Sequence, residues 1–130
     1  MYSFSITAPG GLDETIEKVT AELAKEGFGV LTEIDVKATL KKKLDLDTRP
    51  YRILGACNPQ LAHQAIDAEP DVGLLLPCNV VVREEENGSI TVAFMDPLIV
   101  LGITGREDLA PFGVDAKARL ERVRDGVLAG

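Results

Sequence analysis

Apolar and polar positions along this chain alternate between two periods, and the switches between periods outline its elements. Residues 3–7 alternate around Phe4 and Ile6, which predicts a strand that Pro9-Gly10-Gly11 ends. Leu12, Ile16, Val19 and Leu23 then recur at helical spacing. On a period of 3.6 they fall within about 60° of one another, one apolar stripe. Asp13 and Glu14 suit the first turn of that helix, and Gly27 supplies its stop. Residues 28–36 alternate Phe28, Val30, Thr32 and Ile34 against more polar neighbours, a second strand. Residues 36–44 form a short lysine-rich helix that Asp35 can cap. A third strand, 51–57, opens after Pro50.

Asn58-Pro59 follows that strand directly. Asn is a strong helix cap, and Pro at the first helical position loses no hydrogen bond. A helix to about Ala68 is predicted, with Leu61, Ala62, Ala65 and Ile66 facing inward and Glu69-Pro70-Asp71 as its breaker. Residues 80–82 and 90–95 flank Asn87-Gly88 as a hairpin. A two-residue turn there would pair Asn79 with Asp96. Asp96-Pro97 closes the second arm, and 98–103 continues as a strand or a buried loop. A last helix, 113–128, carries the stripe Ala116, Leu120, Val123 and Val127. The order β-α-β-α-β-α-β-β-α over residues 1–130 predicts one α+β domain: a mostly antiparallel sheet with helices packed mainly on one face. Strands three and four flank a single helix and are expected to run parallel. Cys57 and Cys78 then fall at opposite edges of the sheet, unless residues 69–78, able to reach about 33 Å, carry the chain back.

Composition narrows the classes of function. Hydrophobic residues make up 45% of the 130 and charged ones 27%, ordinary for a globular domain. No apolar run approaches the ~18 residues of a membrane span, and the N-terminus lacks the basic start of a signal peptide. The cytoplasm is the expected compartment. Fourteen basic against 21 acidic residues give a net charge of −7, which opposes nucleic acid. The one basic cluster, Lys37, Lys41, Lys42 and Lys43, has no interleaved aromatic and reads as a solvated helix face. Two cysteines in a reducing compartment argue against a structural disulfide.

The candidate chemistry lies in two punctuated cysteine segments, Cys57-Asn58-Pro59 and Leu76-Pro77-Cys78-Asn79. Their spacing matches no zinc or thioredoxin pattern, and the sole histidine, His63, falls on the outward face of its helix. No metal and no cofactor is expected. Cys57 stands before a helix N-terminus, which favours a thiolate, but no base is placed beside it. Asn58 and Asp96 each have a local capping explanation. Pro9-Gly10-Gly11 lacks the rest of a phosphate loop. The favoured place for a site is the segment around Cys78 and Asn79 facing Asp96, with Cys57 as architecture.

Asn58-Pro59 after a strand, Leu75-Leu76-Pro77-Cys78 before Val80-Val81-Val82, and Asp35-Val36-Lys37-Ala38-Thr39-Leu40 together resemble the domain-of-unknown-function 302 family. The resemblance runs from about residue 4 to 103, with the helix at about 113–128 beyond it. It implies a compact α+β fold and a homodimer, and brings no reaction or catalytic residue.

Two functions are consistent with these residues. One is a noncatalytic homodimer that binds a small ligand or a protein, since both faces of the 80–95 hairpin carry apolar residues and one needs a partner's cover. The other is a thiol-dependent enzyme or a redox or metal sensor built on Cys57 or Cys78.

Overall fold

A computed structural model describes all residues, Met1–Gly130. Its elements are β1 (Ser3–Ala8), α1 (Leu12–Lys25), β2 (Gly29–Asp35), α2 (Val36–Leu44), β3 (Tyr51–Cys57), α3 (Pro59–Ala68), β4 (Cys78–Glu84), β5 (Ile90–Met95), α4 (Pro97–Gly102) and α5 (Ala110–Leu128). Short 3-10 turns at Pro70–Leu75 and Glu107–Leu109 join α3 to β4 and α4 to α5.

The strands form one five-stranded sheet in the order β1-β5-β4-β3-β2, with every neighbouring pair antiparallel. The helical stripes lie on one face of it. Val19 and Leu23 of α1, and Leu120, Val123 and Val127 of α5, are fully buried against Leu54, Val80, Val82, Val92 and Phe94. Residues alternate between faces along a strand, so Asn79, Val81 and Arg83 of β4 point away from this core. A second, smaller cluster lies beside the first: Ala65, Val72, Leu101 and Leu109, packed with Leu76 and Phe112.

Four expectations are corrected. First, β3 and β4 are antiparallel, because the turn at Pro70–Leu75 returns the chain to the end of the sheet that α3 left. Ala56 therefore lies opposite Cys78. Second, the hairpin loop has three residues, Glu86-Asn87-Gly88: Glu84 pairs with Ile90, and the Glu85 N–H donates to Ser89 O at 2.8 Å. Gly88 takes φ +86°, where a side chain would be strained. The extra residue shifts the register by one, so Val80 faces Phe94 and the pairing of Asn79 with Asp96 does not form. Third, residues after Asp96 are helical rather than extended, and α5 begins at Ala110, a turn before Gly113. Asp96-Pro97 starts α4 as Asn58-Pro59 starts α3. Ile66, expected inward, is exposed.

Candidate functional site

An apolar cavity of about 40 Å³ lies at the seam between the two clusters. Phe28, Ala56, Cys78 and Ala116 line it from the sheet side, and Ala65, Leu76, Leu101 and Phe112 from the smaller cluster. Cys57 and Met95, at the ends of β3 and β5, are also among the lining residues.

Each candidate residue now has a definite place. Cys57 ends β3 and Cys78 begins β4, one residue out of direct register, and both line the cavity. Cys78 is buried and Cys57 half-buried; both are free thiols. Burial pushes the Cys78 thiol up to about 11, and the neighbouring Cys57 adds to the effect. It therefore stays protonated at neutral pH, unfit as a nucleophile by itself.

Asn58 lines the same cavity but spends its polar atoms on structure. Its Oδ1 accepts from the Leu61 N–H at 3.2 Å, capping α3, and its Nδ2 donates to Glu26 O at 3.4 Å. The Arg119 guanidinium donates to that same carbonyl at 2.7 Å, so the end of α1 is held by α3 and α5 together. Asp96 is also a cap. Its Oδ1 accepts from the Leu98 and Ile99 N–H groups at 3.0 and 3.3 Å, while Oδ2 meets Lys117 Nζ at 2.9 Å. Burial alone would raise the Asp96 carboxyl, but the Lys117 ammonium and the two N–H groups hold it below its ordinary range. Asn79 is exposed on the opposite face of the sheet.

The structure thus separates Asn79 from Cys78 and unites Cys78 with Cys57. Met95 and Phe112 had no signal in the sequence, because only the packing of α4 and α5 brings them to the seam. His63 is exposed on α3, and no three His, Cys, Asp or Glu side chains cluster as a metal set. On α2 the lysines are exposed, and Lys41 pairs with Asp45 and Asp47. No helix is long and apolar enough to cross a membrane.

A family model described as "Domain of unknown function DUF302" matches residues 4–127. The chain belongs to the DUF302 family. Its fold is shared by an uncharacterized conserved DUF302 protein from Bacillus stearothermophilus, known from a crystal structure. The two are 34% identical with a TM-score of 0.91, over 98% of each chain. The DUF302 match extends through α5, farther than the segments that carried the resemblance. A comparison with curated proteins found no match.

Proposed function

We propose that this DUF302 chain is a noncatalytic cytoplasmic binding protein that works as a homodimer, joined through the open face of its sheet. The observation that carries the reading is the character of that face. Ile34, Ile53, Val81 and Ala93 point outward from β2, β3, β4 and β5, and Tyr51 does so beside Val36 and Leu40 of α2. Ile34 is 48% exposed. The outward positions of the five strands carry no carboxylate and one cation, Arg83, which is paired with Glu85. In a chain of net charge −7, a face without acids is where a second copy can approach without repulsion.

Five strands about 4.8 Å apart, each of six or seven residues, span roughly 20 Å by 20 Å, about 400 Å². Stable partners bury about 800 Å² each, so the residues around the sheet must join the interface.

Sedimentation equilibrium at micromolar concentration tests this. A dimer is expected, with Ile34→Glu plus Val81→Glu giving a folded monomer. A monomeric parent chain, or a double variant that still dimerises, defeats the reading.

A further inference from the structure

We propose that a groove on the open face of the sheet binds a medium-chain carboxylic acid that carries a hydroxyl at its far end. The inference rests on the dimer reading in one respect: a second copy covers the side of the groove that faces solvent.

The groove comes from a step in side-chain size. In the outward row, Ser5 of β1 lies opposite Ala93 of β5, and Ala93 lies opposite Val81 of β4. These short side chains make a low floor, with Tyr51 of β3 and Tyr2, just before β1, standing beside it. The depression holds about 430 Å³, within the several hundred Å³ of small-ligand sites.

The two ends of the floor are polar in different ways. At one end is Arg83, with Tyr51 as its cross-strand neighbour. The Arg83 Nε donates to Glu85 Oε1 at 2.9 Å, and its two Nη groups have no partner in the chain. That free edge of a planar guanidinium matches a carboxylate, which accepts two parallel N–H bonds. In the adjoining groove Arg49 and Arg83 stand with Glu84 and Glu85, so the charges there balance. Such an end holds one negative charge by directed hydrogen bonds, and it has no surplus of cations to meet the larger charge of a phosphate.

Asn79 lies four residues back along β4, roughly 13 Å from Arg83. Its amide and the Ser3 hydroxyl close the other end of the groove. Both are neutral and can donate and accept, which suits a hydroxyl. Between the ends, Val81 and Ala93 offer apolar surface to a chain of methylenes. The same lack of outward carboxylates that lets a second copy approach lets an anion approach.

The chain has no tryptophan and two tyrosines, Tyr2 and Tyr51, and both border this groove. Its intrinsic fluorescence therefore reports from the site. The test is a titration of the full chain with ω-hydroxyoctanoate, followed by tyrosine fluorescence. A saturable change is expected. Replacing the carboxylate by a second hydroxyl, in α,ω-octanediol, should weaken binding about 10-fold, and Arg83→Gln should impose the same loss on the acid. Plain octanoate should bind about 5-fold more weakly than ω-hydroxyoctanoate, and Asn79→Leu should erase that preference. No saturable change, equal binding of the diol, or unchanged binding by Arg83→Gln would overturn the proposal. So would a preference for the hydroxyl that survives Asn79→Leu. Circular dichroism checks each fold, and should Arg83→Gln unfold, the diol comparison on the parent chain carries the test. Sedimentation equilibrium on the same samples separates the two readings. A dimer without a fluorescence response defeats the ligand alone. A monomer whose response is lost in Arg83→Gln defeats the dimer and keeps the ligand.

Discussion

The two apolar clusters are made of the same residue types yet are held in different ways. Beneath the sheet, fifteen of the sixteen buried residues come from regular elements whose stripes repeat at the period of helix or strand, and Phe28 stands just before β2. In the smaller cluster, four buried residues are supplied by α3, the six-residue α4 and two 3-10 turns. Regular elements meet along their whole length, so the main core closes tightly, with Leu54, Val80, Val82, Val92 and Phe94 at zero exposure. Short elements meet at single residues. The void falls where the two kinds of packing join, and so do both thiols. Stability and void are thus placed apart: the sheet core closes tightly, and the cavity lies at its border with the smaller cluster.

Truncation in each cluster should separate them most sharply. Phe94→Ala removes a fully buried aromatic from the sheet core and should cost about 3–5 kcal/mol in urea unfolding. Leu109→Ala should cost near the lower end of the about 2–5 kcal/mol range for such truncations. It should also speed amide exchange in α3 and α4 while leaving β3 to β5 protected, since few buried contacts hold that region. Equal protection losses in both regions would erase the distinction.

The next effect lies where α4 crosses α5. A Cβ placed on Gly113 would stand 2.8 Å from the Leu98 Cα, so Gly113→Ala must push the helices apart. We expect a loss of about 1–3 kcal/mol, the range for an overpacked contact. A neutral Gly113→Ala would show that α4 is too loosely held to register the clash.

The smallest effect concerns the cap between the two regions. Asp96→Ala should cost about 1 kcal/mol at neutral pH by removing the α4 cap. The sign of its pH dependence follows from its lowered pKa. The stabilisation is full above the ordinary carboxylate value of 3.8 and fades as pH falls through the lower folded-state value. Parent and variant unfolding curves should therefore converge in acid, and a gap that persists or widens there would refute the assignment.

Much of this was legible in the residues. The stripes of α1 and α5 and the caps Asp35 and Asn58 follow from local spacing and side-chain chemistry. Even α4, expected as a strand or loop, carried the same Asx-Pro start as α3. Its run of Leu, Ile and Val hid the signal, because a short apolar segment does not reveal its period.

Element type and capping are local properties, set within a turn or two of chain, and the sequence alone determined them. The direction of β4 and the register of the hairpin are different. The Pro70–Leu75 turn reversed an expected parallel pair, and one extra loop residue broke the expected pairing of Asn79 with Asp96. Both depend on hydrogen bonds and packing between residues distant in sequence, which no local pattern encodes. For that reason the tertiary structure alone decided that Cys57 and Cys78, 21 positions apart in the chain, border the same cavity.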